Sequence, residues 1–166
     1  MVYDASIIKL AKLNISAEAI FENLMIEDIK KAADILSDVY KKSEYTDGYV
    51  SMEIPPLYAD DYEKTIEEAE KLWERTKREN LMIKVPATIE GVRAIKHLLS
   101  RGINVNATLI FSVERYQEVM AAYLQALQYR TSNNLPISKL ASVASFFVSR
   151  IDTHIDKLLD KISKKK

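Results

Sequence analysis

The sequence predicts an α/β fold with about four parallel strands, helices on their outside and further helices at the N-terminus. From residue 49 onward, strand-like apolar runs and helical patterns alternate four times. Such alternation is typical of parallel strands joined by right-handed helical crossovers. Low-complexity linkers and helical repeats are absent, so residues 1–166 are interpreted as a single domain.

Two helices are predicted before the first strand. The first runs from Asp4 to Leu13, and Ser16 is expected to be the N-cap of the second. Within residues 17–41, apolar side chains recur at spacings of three and four, which is typical of an amphipathic helix. The sequence is compatible both with one continuous helix and with a break near residues 25–27.

The region from residue 45 to residue 86 predicts a turn, a strand, a helix and a second strand. The strand Tyr49 to Ile54 follows the turn and ends at two prolines. A helix is expected from about residue 60 to residue 78, because Asp60 and Glu63 have the spacing of a capping box. The second strand is Leu81 to Pro86.

The remaining elements are predicted from capping residues and apolar runs. In order they are a helix capped by Thr88 and stopped at Gly102, a strand over 103–111, a helix capped by Ser112 and reaching Arg130, a strand over 140–149 and a helix to about residue 162.

Composition narrows the classes of function. The chain has 24 basic and 24 acidic side chains, so no overall field favours nucleic acid or an anionic membrane, and the basic tail 161–166 is interpreted as a solvated helix end. The lack of cysteine excludes disulfides, thiolate zinc sites and a cysteine nucleophile. No apolar stretch reaches the roughly 18 residues of a membrane span, and no secretory signal is recognised. A cytoplasmic location is therefore expected.

Lys84 is the first candidate for chemistry, because it interrupts the apolar run 81–86. Burial removes the hydration of an ammonium and favours the neutral amine, which is a nucleophile toward carbonyls. Lys84 is thus a candidate for Schiff-base chemistry. The alternative is a lysine at a strand end with its head group in water.

Polar residues fall on one parity of each predicted strand, and residues two apart share a face. This pattern favours a functional polar interior over the alternative, an antiparallel sheet with one wet face, since long helical crossovers disfavour the latter. Several polar residues lie late in their strands, where barrel enzymes place their active sites. The residues of this face are Ser51, Glu53, Lys84, Asn104, Asn106, Thr108 and Ser145.

Four strand motifs resemble successive strand motifs of transaldolases. They are VSMEI at 50–54, MIKVPAT at 82–88, GINVNATLIFS at 102–112 and ASFFVSRID at 144–152. The resemblance extends through residues 15–18 and 26–30, and so covers nearly the whole chain.

The resemblance implies a partial (β/α)8 TIM-type barrel that uses no metal and no organic cofactor. It also implies a transferase of the pentose phosphate pathway, in which a lysine forms a Schiff base with a ketose phosphate and a dihydroxyacetone unit passes to an aldose phosphate. By motif, the implied residues are Lys84 as nucleophile, Glu53 as acid/base through a water, Thr108 as the residue that positions this water, Asn106 and Ser145 as contacts to substrate, and Arg150 as the phosphate ligand.

The chain departs from the family pattern at both ends. It lacks the aspartate that the family carries on its first strand and the Thr-Asn-Pro segment of the second strand. The expectation is therefore an incomplete barrel without the first two and last two strand–helix units, since a complete one needs about 250 residues. Asp4 and Asp47 are interpreted as a helix start and a turn, and not as substitutes for that aspartate.

Three functions are compatible with these residues. The first is a transaldolase, and the second is a catalytically inactive truncated remnant that binds sugar phosphate or only assembles. The third is a helical interaction module built on residues 4–41.

Four strands would leave two unpaired edges, so self-association is expected. His97 and His154 are assigned to the helix surface, and Trp73 is assigned to packing. Neither nucleic acid nor a membrane is expected as a partner of the chain.

Overall fold

The computed structural model describes residues 2–164, so Lys165 and Lys166 of the predicted basic tail lie outside the described residues. The helices are α1 (Asp4–Ala11), α2 (Ala17–Lys42), α3 (Tyr62–Thr76), α4 (Ile89–Arg101), α5 (Val113–Ser132) and α6 (Val148–Ser163), with a short 3₁₀ helix at Pro56–Tyr58. The strands are β1 (Val50–Glu53), β2 (Leu81–Pro86), β3 (Val105–Ile110) and β4 (Ser142–Phe146).

The four strands form one open sheet in sequence order, β1-β2-β3-β4, and each neighbouring pair is parallel. The predicted α/β class is confirmed, and the antiparallel alternative is wrong. Helical crossovers separate all of the strands, as parallel pairing requires. The register aligns Glu53 with Lys84 and Lys84 with Asn106, so these three side chains share one row across the sheet.

Helix ends follow the predicted local signals in most places. The hydroxyls of Ser16, Thr88 and Ser112 each accept a hydrogen bond from the backbone N–H three residues later. Gly102 ends α4 in the left-handed region, with φ of 90°, where a side chain would meet the Arg130 guanidinium. These caps are local chemistry, and the sequence therefore predicts them well.

The open question of a break in α2 is settled, because the helix continues through residues 25–27. Two predicted boundaries were wrong. Asp61, not Asp60, caps α3 by accepting a hydrogen bond from the Lys64 N–H. Strand β4 ends at Phe146, because the N–H groups of Arg150 and Ile151 already donate to the Phe147 carbonyl in the first turn of α6. The β-branched and aromatic residues at 146–148 have strand propensity, but the helical turn prevails there.

The core lies between the outer face of the sheet and helices α2 to α5. On β2 and β3, the residues Ile83, Val85 and Val105, which face away from the side of Lys84, are fully buried. Helix α2 packs on β1 and α3, so its apolar stripe covers the sheet, as most amphipathic helices do. Within residues 2–164 the structure contains no helix that is long and apolar enough to cross a membrane.

Candidate active site

The centre of the candidate site is the pair of Lys84 on β2 and Glu53 on β1. Lys84 Nζ lies 3.6 Å from Glu53 Oε1. The lysine side chain is 28% exposed and the glutamate side chain is 61% exposed, so water reaches both groups. The other five residues of β2 are buried, so the strand fixes the root of Lys84 and leaves its amine at the rim. The sequence left two alternatives for Lys84, a buried amine and a head group in water. The structure lies between them, because the amine is partly exposed and is paired with Glu53.

Asn106 on β3 connects three strands. The Ser145 hydroxyl donates to Asn106 Oδ1 at 2.7 Å, and Asn106 Nδ2 donates to the Ser51 hydroxyl at 3.0 Å. Ser51 lies on β1, which is not a neighbour of β3, so the bond reaches across β2. Such a reach requires a sheet that curves toward its polar face, as a barrel wall does. Asn106 is 9% exposed, and these bonds satisfy both ends of its amide.

Thr108 lies in register with Pro86, two residues beyond Lys84 on the same face. Its side chain is 1% exposed, and its hydroxyl has no hydrogen-bond partner within the described part of the chain. A buried hydroxyl without a partner costs roughly 1–3 kcal/mol. Thr108 therefore has a free donor and acceptor close to the row that contains Lys84.

A β-bulge follows Thr108. Leu109 has a φ of 59°, which is in the left-handed region, and β3 advances three residues from Ala107 to Ile110 while β4 advances two from Ala144 to Phe146. The extra residue bends β3 next to Thr108, between the paired positions Ala107–Ala144 and Ile110–Phe146. No sequence signal predicted it, since leucine rarely adopts this conformation.

Arg150 occupies the first turn of α6, directly after β4, at the same end of the sheet as Lys84. Its guanidinium lies over the Phe147 ring, 4.5 Å from the ring centroid. The residue is exposed, and none of the ion pairs found within residues 2–164 includes it. The structure thus brings Lys84, Glu53, Asn106 and Ser145 together, and it leaves Arg150 at the rim.

Asn104 serves the fold, although it shares the polar face. Its Nδ2 donates to the carbonyls of Glu79 and Leu81, and its Oδ1 accepts from the Ala141 N–H. The amide thus ties the start of β4 to the start of β2. Ser51, for which the sequence suggested no role, is instead bonded to Asn106. Strand parity predicts the face of a residue, but it does not predict its partner.

Two cavities lie away from Lys84. One of about 370 Å³, at the amino ends of the strands, is lined by Tyr40, Trp73, Asn104 and Arg130 among others. Another of about 250 Å³ is lined by Phe111, Arg150, Ile151, His154 and Ile155, beside the start of α6. The described residues include no group of three or more histidine and carboxylate side chains that could hold a metal ion.

Comparison with known proteins identifies relatives of the whole chain. A family model described as transaldolase/fructose-6-phosphate aldolase matches residues 1–166. The transaldolase of Trichodesmium erythraeum is 48% identical over 164 residues, which are 99% of this chain and 43% of the relative. The transaldolase of Saccharopolyspora erythraea is 47% identical over 160 residues, which are 96% of this chain and 43% of the relative. The chain therefore spans less than half the length of the curated relatives that it matches.

Proposed function

This chain belongs to the transaldolase/fructose-6-phosphate aldolase family, and on that premise we propose that it performs the imine chemistry of a transaldolase, with Lys84 as the nucleophile. The observation that carries the proposal is the row formed by Glu53, Lys84 and Asn106, in which the amine lies 3.6 Å from the carboxylate. A carboxylate at that distance lies just beyond direct hydrogen-bond reach and can exchange protons with the amine through one water.

The proposed reaction begins with a ketose phosphate. The neutral Lys84 amine attacks the ketose carbonyl carbon, a C–N bond forms as the C=O π bond opens, and one proton moves from the nitrogen to the oxygen to give a neutral carbinolamine. A second proton is delivered to that hydroxyl, the C–O bond breaks to release water, and the protonated imine forms. Glu53 shuttles these protons through a water, which Thr108 positions with its buried hydroxyl.

The remaining residues hold the substrate. Asn106 and Ser145 are proposed to bind sugar hydroxyls, and their mutual bond of 2.7 Å keeps both in place. Arg150 is proposed to bind the phosphate, since a planar guanidinium suits a multidentate anion. The substrates are thus sugar phosphates, and no metal or organic cofactor takes part. Transfer of a dihydroxyacetone unit in the pentose phosphate pathway, and a cytoplasmic location, are parts of the same proposal.

A second candidate is an inactive remnant that binds sugar phosphate or only assembles. The observation that favours it is the exposure of the Lys84–Glu53 pair, because water weakens the electrostatic stabilisation on which catalysis depends. Under this alternative, the polar face still binds a sugar phosphate, while no covalent bond to Lys84 forms.

Borohydride trapping separates the two candidates. The protein is incubated with fructose 6-phosphate and sodium borohydride, and the intact mass is measured. We expect a reduced adduct that is absent in Lys84→Met and present in Lys96→Met, a matched change at an exposed lysine of α4. A hexose phosphate adduct shows imine formation without cleavage, and a three-carbon adduct shows cleavage as well. Absence of any adduct on the unmodified protein would support the remnant.

We also propose that the chain self-associates. In the four-stranded sheet, β1 and β4 each have one unpaired edge, which is a route to association. Next to β4, none of the residues of α6 is buried. Its exposed apolar side chains, with Phe111 beside them, form an exposed apolar surface of the kind that marks a protein interface. The apolar residues of α6 are Val148, Ile151, Ile155, Leu158, Leu159 and Ile162.

A further inference from the structure

We infer that Ser51 is a positioning residue for the proposed reaction and acts through Asn106. The inference rests on the proposed role of Asn106 in binding the substrate. Its starting point is the hydrogen-bond chain from Ser145 through Asn106 to Ser51, with lengths of 2.7 and 3.0 Å. Asn106 is therefore held from both sides, by β4 and by β1.

The bond between Ser51 and Asn106 fixes the plane of the amide. An asparagine side chain has two rotatable bonds, and the terminal one is soft. With one hydrogen-bond partner, the amide can rotate about its terminal rotatable bond, whereas two hydrogen-bond partners on opposite sides fix its orientation. Each amide end keeps one further site, namely the second Nδ2 hydrogen and the second Oδ1 lone pair. These free sites are directed by the plane that Ser51 and Ser145 set.

The bond also lies beside the nucleophile. Ser51 pairs with Met82 in the register, and Asn106 pairs with Lys84, so the bond spans the face of β2 between these two positions. Ser51 precedes Glu53 by two residues on the same strand face. The hydrogen bond therefore joins β1, which carries Glu53, to β3, which carries Asn106, and it crosses β2, which carries Lys84.

Removing the Ser51 hydroxyl leaves one buried amide hydrogen without its partner. Asn106 is 9% exposed, so water replaces this partner only poorly. The amide then turns, and its contacts to the sugar are displaced. Misplacement by about 1 Å costs on the order of a hundredfold in rate, so Ser51→Ala is expected to slow imine trapping by about tenfold to a hundredfold.

The first test measures the amide itself and does not depend on catalysis. In the ¹⁵N-labelled full chain, the Asn106 side-chain signals are assigned by their loss in Asn106→Asp. We expect their exchange with water to be at least about tenfold slower than that of exposed Asn134, and to accelerate in Ser51→Ala. Exchange as fast as that of Asn134 in the unmodified protein would overturn the inference, whatever the variant does.

The second test measures trapping rates in a double-mutant cycle. If Ser51 acts through Asn106, Ser51→Ala slows trapping in the unmodified background and has no further effect in Asn106→Ala. Ser51→Thr, which keeps the hydroxyl, is expected to retain the rate. Equal slowing by Ser51→Ala in both backgrounds would show a general structural role and overturn the inference. If the unmodified chain forms no imine, the proposed function fails, whereas slow Asn106 exchange that accelerates in Ser51→Ala would still show that Ser51 holds the amide.

Discussion

At the scale of single residues, the Lys84–Glu53 pair matters for its chemistry more than for its energy. An ion pair at 3.6 Å with a 61% exposed carboxylate is screened by water and contributes at most about 1 kcal/mol to folding. A change of Glu53 to its uncharged amide should therefore leave the fold intact and remove the proton shuttle.

Glu53→Gln is expected to slow imine trapping by at least about a hundredfold, the lower range of general acid–base catalysis. Trapping is measured as the initial rate of adduct formation with fructose 6-phosphate. Glu67→Gln, a matched change at an exposed position of α3, should leave the rate unchanged. Equal rates for Glu53→Gln and the unmodified protein would show that another group moves the proton.

The sequence predicted which residues share the polar face better than it predicted their contacts. Lys84 in an apolar strand and the polar parity of its neighbours were recognisable because both depend on residues close in the chain. The bonds of Ser51 and Asn104 were not, because their partners lie 55 and at least 23 residues away. Such contacts depend on register and curvature, which strand parity leaves open.

At the scale of elements, the caps explain which helix boundaries were predictable. Ser16, Thr88 and Ser112 act within one turn, so their effect is visible in the sequence. Asp60 was predicted as the cap of α3, but its neighbour Asp61 caps the helix, and the Asp61 N–H donates to the Tyr58 carbonyl at the end of the 3₁₀ helix Pro56–Tyr58. The bulge at Leu109 depends on pairing with β4 and has no local signal.

Asp61 predicts a pH dependence of stability. The Lys64 backbone N–H bond lowers the pKa of the Asp61 carboxyl in the folded state. Its contribution is therefore present above the unfolded pKa of about 3.9 and is lost as pH falls through the lower folded value. In urea unfolding between pH 5 and pH 2, Asp61→Asn should lose less stability than the unmodified protein. Asp60→Asn, a neighbouring carboxylate outside the cap, is the control, and identical losses in the Asp61→Asn and unmodified proteins would contradict the assignment.

Lys77 predicts a stabilising substitution at the end of α3. Lys77 is exposed and has a φ of 51°, and its N–H donates to the Trp73 carbonyl. Glycine is the preferred residue at such a left-handed position at the end of a helix. Lys77→Gly should raise the free energy of unfolding by about 1 kcal/mol, because a side chain costs that much in the left-handed region. Lys96→Gly, within α4, should lower it by about the same amount. A loss of stability in Lys77→Gly would refute the cap geometry.

At the scale of the whole molecule, the fold class was predictable because strand and helix patterns alternate along the chain. Parallel order and helical crossovers follow from that alternation. The curvature that lets Ser51 reach Asn106, and the positions of the two cavities, follow from packing between distant elements instead. These properties were therefore found only in the structure.

Self-association depends on the exposed surface of the whole molecule. At micromolar concentration, size-exclusion chromatography with light scattering should give at least twice the mass of 19.0 kDa. Replacing Leu159 and Ile162, two exposed apolar residues of α6, by lysine should shift the mass toward the monomer, because the apolar contact is lost. A monomer before the substitution would refute the interface.

The central claim is that Lys84 is the nucleophile of an imine-forming site. The position of the borohydride label, read by peptide mass spectrometry after reaction with fructose 6-phosphate, tests it most directly. A single modified peptide that contains Lys84 is expected, and the label should be lost in Lys84→Met. Label distributed over exposed lysines, and unchanged in Lys84→Met, would contradict it.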